Sequence, residues 1–255
     1  MFIPVMMMAT AFGQRFEVAS IKPAGDGPGA YIRDSGTWSQ TMDLESLLVD
    51  AYGLAYYEFA GPEWMRTARF TINAKIPEGT SKEQFKIQQQ NLLIDRFKLT
   101  FHHEQKEVQG YELVVVKGGP KIKESSHVDL ADTPVPKGPW KNDAEGFAIV
   151  PAEARRHMMT GLNGDRITQP FPDRTMEQVA GFLGNALGQP VHDATGLKGT
   201  YDFDLKWIRD TGRPINDGPD IYQALQAQIG LKLERKKVTI NVMVVDHIEK
   251  TPSEN

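Results

Sequence analysis

The sequence predicts an α+β fold made of two repeated units, each a small, mostly antiparallel sheet with two helices packed on it. The first observation is a phrase that occurs twice, as TMDLESLLVDAYG in residues 41–53 and as TMEQVAGFLGNALG in residues 175–188. The second is an alternating strand pattern after each phrase, ARFTINAKI at 68–76 and TYDFDLKW at 200–207. The third is the same continuation in both halves, a helical pattern followed by two strand patterns.

Each phrase is predicted to form an amphipathic helix, because its apolar residues recur at three- and four-residue intervals. Thr41 or Asp43 can cap the first helix, and Thr175 opens a capping box for the second. Gly53 and Gly188 suit the helix ends, where φ is often positive. With one inserted residue the two stripes superpose; they consist of Leu44, Leu47, Leu48, Ala51 and Tyr52 in the first copy and Val179, Phe182, Leu183, Ala186 and Leu187 in the second.

A second helical pattern follows the alternating strand in each half. Ser81 with Gln84 and Asp220 with Gln223 have the spacing of a capping box, in which two polar side chains satisfy the first free N–H groups of a helix. Gly230 suits the end of the later helix. We therefore expect two helices in each unit.

Two strand patterns follow each second helix, and we expect each pair to form a hairpin. The polar connections are predicted at residues 107–110 and near residues 236–237. A further strand is expected ahead of the first helix of each unit, with FEVASIK at 16–22 and DRITQPF at 165–171 as candidates.

These patterns divide the chain into a signal-like apolar segment at 1–14, a first repeat at 15–120, a linker or insertion at 121–165 and a second repeat at 166–255. The linker has no clear period and is rich in proline, glycine and charge, which is typical of a loop. No apolar run approaches the ~18 residues of a membrane-spanning helix, so we expect no membrane span in the mature chain.

The N-terminal run FIPVMMMATAFG resembles a secretory signal. Ala9-Thr10-Ala11 fits the A-x-A cleavage pattern, although the usual basic start is missing. We therefore expect an exported protein, periplasmic or secreted; a simple apolar tail is the alternative.

The composition excludes several kinds of chemistry. The 255 residues include no cysteine, which excludes disulfides, thiolate nucleophiles and cysteine-ligated zinc. A formal net charge of −4 gives no sign of the basic face typical of nucleic-acid-binding proteins. No dinucleotide, phosphate-loop, serine-hydrolase or zinc-protease motif occurs. We predict no cofactor, no metal and no nucleic-acid partner.

Three groups of side chains are candidates for catalysis. His102 and Glu104 would share one face of a strand, where they could act as two metal ligands or as a base and its orienting partner. Asp202 and Asp204 would also share a face, with Cβ atoms ~7 Å apart, a separation comparable to that of glycosidase carboxyl pairs. His247 stands at the end of the last strand and would need a partner from elsewhere. In each case an ordinary exposed strand is the alternative.

Aromatic residues provide a candidate ligand-binding surface. Trp38, Tyr56 and Tyr57 lie close to the first helix in the sequence, and Trp140 lies in the predicted linker. Flat rings on a rigid scaffold offer contact area to sugars or peptides at a low cost in entropy. Core packing is the alternative for these residues.

Several motifs together resemble the acidobacterial, soil-associated family of exported proteins of unknown function. The resemblance covers nearly the whole chain after Arg15 and rests on FEVASIKP, AYGL, GPEWM, DRFKL, LVVVKGGPK, TGLKGTYDFDLKW and VVDHIEKTPSEN. It implies export, and a similar domain appended to sensor proteins of the BlaR/MecR metallopeptidase type, but no reaction. On pattern alone, the helix–strand repeat also resembles the short domains of secretins and TonB receptors.

Two functions are consistent with these features. The favoured one is an exported, non-catalytic binding module for a peptide, a glycan or an envelope protein, because the chain is duplicated and carries no catalytic motif. The alternative is an extracytoplasmic hydrolase or lyase that acts on polysaccharide or cell-wall material through its carboxylates and histidines. A purely structural envelope protein is a third, weaker interpretation.

Overall fold

The chain folds into two compact units. In the computed structural model, unit 1 comprises Met1–Lys106 and Ile240–Asn255, and unit 2 comprises Glu107–Thr239. About 26% of the chain is helix and about 39% is strand, which confirms the α+β class. The predicted signal-like segment at 1–14 lies outside the residues that the structure describes, which are 15–27, 29–34, 36–126, 139–211 and 218–253.

Unit 1 contains a four-stranded antiparallel sheet and two helices. Its elements are β1 (Val18–Pro23), β2 (Ala30–Arg33), β3 (Thr37–Asp43), α1 (Leu44–Tyr52), β4 (Phe59–Ala60), β5 (Arg69–Lys75) and α2 (Lys82–Phe97). Short 3₁₀ turns at Tyr56–Glu58 and Glu63–Arg66 flank β4. The strand order in the sheet is β1-β5-β3-β2.

Unit 2 repeats this plan. Its elements are β7 (Lys123–Glu124), α3 (Ala152–Arg156), β8 (Gly161–Asn163), β9 (Arg166–Arg174), α4 (Met176–Leu187), β10 (Val191–Asp193), β11 (Tyr201–Ile208) and α5 (Ile221–Ala224). A π-helical turn, Leu225–Ile229, continues α5. The antiparallel sheet has the order β7-β11-β9-β8.

Two long strands, β6 (Thr100–Val115) and β12 (Leu231–His247), contribute one part to each unit. In unit 1 the order is β6-β12-β4, with β4 parallel to β12. In unit 2 the order is β10-β6-β12, with β10 parallel to β6. Every strand of the first half therefore has a counterpart six strands later, which makes the two units topological repeats.

The helix caps are those that the sequence predicts. Ser81, Thr175 and Asp220 each accept a hydrogen bond from the backbone N–H three residues on, and all three capping boxes are complete. Asp43 caps α1 by accepting from the N–H of Ser46. The side chains of these short polar residues thus fix where each helix begins.

The repeated phrase is equivalent at its end but not at its start. Thr41 lies in strand β3, whereas Thr175 is already the N-cap of α4. Both helices end at a glycine in the left-handed region, Gly53 at φ 66° and Gly188 at φ 64°. Counted back from these glycines, α4 has 12 residues and α1 has 9, so α4 begins about one turn earlier than α1.

Both candidate opening strands form, as β1 and β9. However, the strand directly before α1 is β3, so β3 rather than β1 is the counterpart of β9. The β3 segment TWSQTMD alternates buried and more exposed residues, as a strand does. Its last three residues also belong to the phrase that predicts α1.

The predicted hairpins are wrong. Residues 107–110 lie inside β6 and residues 236–237 lie inside β12, so each pair of patterns is one continuous strand. Gly110 is not a turn residue. An added Cβ there would lie 2.6 Å from the carbonyl oxygen of Pro190 and 2.7 Å from Val238, so the glycine allows the chains to approach closely.

The segment predicted as a linker, 121–165, contains β7, α3 and β8, and the division into compact units does not follow the predicted boundaries. Phe147, Ala148, Val150 and Ala154 are buried, because the described part of this segment packs on the sheet face that carries Asp204 and Lys206, opposite the face that meets α4. Most of its buried residues belong to one short apolar run, FAIV at 147–150, which has neither helical nor alternating spacing, so the sequence shows no period there.

Among the residues that the structure describes, no helix is both long and apolar enough to cross a membrane.

Replacing Gly110 by alanine tests whether β6 is continuous. Gly110→Ala is expected to lower the free energy of unfolding by about 1–3 kcal/mol, because the methyl group would overlap Pro190. The control is Gly118→Ala, where an added Cβ meets nothing within 4 Å; this change is expected to stay within about 0.5 kcal/mol. Urea denaturation of both variants measures the difference, and equally small effects would contradict the continuous strand.

Candidate functional site

The core of unit 2 lies between the inner face of its antiparallel sheet and α4. Phe171 stacks on Phe203 with ring centroids 4.9 Å apart, and Phe182 of α4 meets Phe171 edge-on at 5.1 Å. Trp207 extends this layer toward the end of β11 and lies 6.3 Å from Phe182. The aromatic layer fixes α4 on the sheet.

A cavity of about 660 Å³ opens at the end of this layer, between the last turn of α4 and the start of α5. Its apolar wall is formed by Ile167, Phe182, Ala186, Leu187 and Trp207, and its polar rim by Gln169, Arg209, Asp220 and Tyr222. Ligand pockets of this size are mostly apolar, with a few polar groups that orient the ligand. The cavity therefore has the composition of a binding site.

The equivalent place in unit 1 is filled. Trp38 of β3 is paired across the sheet with Ala74 of β5. At the corresponding pair in unit 2, Ile167 lies on β9 and Trp207 on β11. The tryptophan of this pair therefore lies on a different strand in each unit. Trp38 packs against Phe16 and Phe85, each with its ring centroid 5.4 Å away.

The second helix also differs between the two units near this place. Counted from the capping residues Ser81 and Asp220, Phe85 of α2 corresponds to Ala224 of α5. The phenyl ring that packs on the tryptophan in unit 1 is thus a methyl group in unit 2. One repeat has a closed core at this place, and the other has a cavity.

A buried glutamine borders this place in each unit. Gln40 is 2% exposed and accepts the indole N–H of Trp38 at 3.0 Å. Gln169 is 1% exposed, accepts the Thr160 hydroxyl at 2.6 Å and donates to the carbonyl of Pro170 at 3.0 Å. A side-chain amide held on several sides keeps the cavity wall rigid.

The hydroxyl group of Tyr222, at the rim, lies 3.1 Å from that of Tyr111. The hydrogen bond with Tyr222, with Arg235 adding to it, lowers the pKa of Tyr111, whereas burial raises the pKa of Tyr222 to about 12. Tyr222 is therefore a neutral hydrogen-bond donor at physiological pH, and the Arg235 side chain brings positive charge close to this end of the site.

The predicted aromatic surface is not a single site. Trp38 is 2% exposed and has no face left for a ligand, because Phe16 and Phe85 cover it; its proposed stacking role does not fit. Tyr56 is 60% exposed and its hydroxyl lies 2.9 Å from that of Ser46, with Tyr57 partly buried beside it. Trp140 is partly buried in unit 2.

In unit 1, the structure gives His102 a partner that sequence reasoning did not assign. Nδ1 of His102 lies 2.7 Å from a carboxylate oxygen of Asp246, and both side chains are about half exposed, 51% and 47%. Glu104 pairs instead with Lys106 at 2.5 Å, and His247 is exposed at the end of β12. The contact of His102 with Asp246 depends on the pairing of β6 with β12, which a sequence pattern does not reveal.

Asp202 and Asp204 lie on β11 in unit 2 and are held separately. Asp202 accepts the Ser125 hydroxyl at 2.8 Å, and Asp204 forms an ion pair with Arg155 of α3. Both carboxylates are therefore engaged by the segment that covers this face. Within the ranges that the structure describes, no cluster of three or more histidine or acidic side chains could hold a metal ion.

The residues of the cavity were missed by the sequence reasoning, although a signal was present. The signal lies in the inward-facing residues of the two alternating strands, compared position by position between the repeats. That comparison shows Ala74 facing Trp38 in one repeat and Trp207 facing Ile167 in the other, a swap of large and small residues.

The fold and the cavity define an α+β protein of two repeated units, the second of which has an open pocket between α4 and α5. A family model described as a protein of unknown function, DUF3738, matches residues 45–248, and the chain belongs to this family. No curated protein and no solved structure matches the chain.

Asp143, in the covering segment, provides a pH-dependent test of the contact with β11. It accepts Nζ of Lys206 at 2.6 Å and the N–H of Phe147 at 2.7 Å, and the Lys206 hydrogen bond holds the pKa of Asp143 below its usual range. Because the folded pKa is lowered, the stabilisation is present above the unfolded value of ~3.9 and is lost as the pH falls through the folded pKa.

Asp143→Asn is therefore expected to lower the free energy of unfolding by about 1–2 kcal/mol at neutral pH and by progressively less as the pH falls below ~4. Urea denaturation at constant ionic strength measures both, with the exposed Asp165→Asn as control. A difference between wild type and Asp143→Asn that is the same at every pH would contradict the ion pair.

Proposed function

We propose that the protein is an exported, non-catalytic binding module whose ligand is a peptide segment with a large apolar side chain that enters the cavity of unit 2. The observation that supports this most directly is the cavity itself, which lies where unit 1 has a closed core. A packed core costs less free energy than an open apolar pocket, so a pocket at a place that the other repeat fills is expected where a ligand occupies it.

The chemistry of the walls favours a peptide over a glycan. Sugars stack on the exposed flat face of an aromatic ring, but Trp207 is only 7% exposed and takes part in the core. The more accessible wall consists of Ala186, Leu187, Phe182 and Tyr222, which together suit a branched or aromatic side chain. Arg209, Asp220 and the Tyr222 hydroxyl at the rim suit the polar backbone on either side of it.

Export is part of the proposal and rests on the signal-like N-terminal sequence. A binding module outside the cytoplasm would also fit the resemblance to domains appended to sensor proteins and to the soil-associated, acidobacterial family. In that setting the peptide would come from the envelope or from the surroundings of the cell.

Filling the cavity mouth tests the proposal. A displayed library of random 12-residue peptides is selected for binding to the full-length wild-type chain. The selected peptides are expected to bind the Ala186→Phe variant at least about tenfold more weakly than wild type, because the added ring occupies the space of the ligand side chain. Fluorescence anisotropy of the labelled peptides measures the Kd values.

The matched control is Asn185→Phe, which adds the same ring to the neighbouring exposed position of α4, outside the cavity lining. Its Kd is expected to stay within about twofold of the wild-type value. The proposal fails if the library yields no peptide, or if both variants weaken binding equally.

A second candidate function, extracytoplasmic hydrolysis, is favoured by one observation, the contact of His102 with Asp246. A carboxylate at Nδ1 orients the ring, so that Nε2 could accept a proton from an attacking water. Neither this pair nor Glu104 lines the cavity of unit 2, and the pair is open to solvent. For these reasons binding is the better supported function.

Assays against chromogenic esters, pooled polysaccharides and peptidoglycan distinguish the two functions. The binding module is expected to show no turnover above the level of the His102→Ala variant. Turnover that is lost in His102→Ala and Asp246→Asn, but kept in the exposed control His247→Ala, would establish the hydrolase instead.

A further inference from the structure

Strand β2 is an exposed edge of the antiparallel sheet of unit 1. It pairs with β3 on one side, and within the described ranges no strand lies on the other. All four of its residues are exposed, including Tyr31 at 58% and Ile32 at 60%. Two large apolar side chains, one on each face of the sheet, are therefore exposed on an open edge.

This edge is less protected than the other edges of the two antiparallel sheets: it has no lysine or proline, and it is longer than β7 and β8. Edge strands are commonly blocked by lysine, by proline, by a bulge or by being very short. The opposite edge, β1, carries Lys22 and ends in Pro23, and the edge strands of unit 2, β7 and β8, have only two and three residues. The sequence of β2, AYIR, contains neither lysine nor proline.

The register with β3 shows which backbone groups face outward. The N–H of Asp34 donates to the carbonyl of Thr37, which makes this a hydrogen-bonded pair. Hydrogen-bonded and non-hydrogen-bonded pairs alternate along an antiparallel ladder, so Ile32 with Ser39 is again bonded and turns its own groups inward. The N–H and C=O groups of Tyr31 and Arg33 therefore point away from β3.

We propose that β2 binds β2 of a second copy of the chain, antiparallel, with Ile32 directly opposite Ile32 and with Tyr31 of each copy opposite Arg33 of the other. In this register the outward N–H and C=O groups of Tyr31 and Arg33 form two reciprocal hydrogen-bonded pairs. Ile32 falls in the non-hydrogen-bonded position, where facing side chains are closest.

The occupant is a second copy because the edge is complementary to itself. A two-fold axis that passes between the two Ile32 residues, perpendicular to the sheet, relates the copies. The equivalent faces of the two sheets then lie on the same side, and the dimer is closed. Ile32 meets its own copy on one face of the sheet, and on the other face the ring of Tyr31 meets the Arg33 guanidinium. Arg33 is already on that face, 3.9 Å from the centroid of Phe85. Because the strand has only four residues, the dimer is expected to be weak and dependent on concentration.

Charge substitution at Ile32 tests the register in the full-length chain. Sedimentation velocity over a range of concentrations is expected to show reversible dimerisation of wild type. It is expected to show at least about tenfold weaker self-association for Ile32→Lys and for Ile32→Glu, since like charges would face each other. Mixing the two variants is expected to restore a heterodimer, because residue 32 faces only itself across the interface.

The matched control is Val18→Lys, which places a charge at a residue 62% exposed on the opposite edge strand and is expected to leave dimerisation unchanged. Circular dichroism verifies that each variant is folded. A wild-type chain that stays monomeric, an Ile32→Lys variant that dimerises like wild type, or folded single variants whose mixture does not associate would each overturn the proposal.

Discussion

Each unit depends on one contact, the packing of the inward side chains of two central antiparallel strands against a short helix. In unit 1, Trp38, Gln40, Ile72 and Phe70 form this face, and in unit 2 Gln169, Phe171, Phe203 and Leu205 form it. The period-two alternation of the strands fixes which residues point inward, and the helix stripe covers them. The rest of each unit, including the short parallel strand and the second helix, is attached to this layer.

The two repeats differ at one end of this layer of inward side chains, beside Trp38 in unit 1 and beside Trp207 in unit 2. In unit 1 a ring on the second helix, Phe85, packs on Trp38, while in unit 2 the corresponding residue is Ala224 and a cavity lies beside Trp207. At this place the same chain path thus produces a packed core in unit 1 and a pocket in unit 2. A repeated fold allows this difference, because one unit can keep a well-packed interior while the other loses some packing stabilisation where the proposed ligand binds.

The sequence was sufficient for the parts of the fold set by local chemistry. The capping boxes at Ser81, Thr175 and Asp220 and the alternation in β5 and β11 are local, and the structure confirms them. The predicted turn in β6 is wrong, because the polar stretch around Gly110 has the composition of a turn, and the contact with Pro190 that explains the glycine is long-range. The cavity and the contact between His102 and Asp246 depend on which strands become neighbours, and that pairing is set by long-range packing rather than by local pattern.

The central claim is that equivalent places in the two repeats are filled in one and open in the other. Diffraction from crystals equilibrated under xenon pressure tests it most directly, since xenon enters apolar cavities and not packed cores. The account predicts a xenon peak beside Phe182 and Trp207 in unit 2 and none beside Trp38 in unit 1. The absence of xenon from unit 2, or equal occupancy at both places, would contradict it.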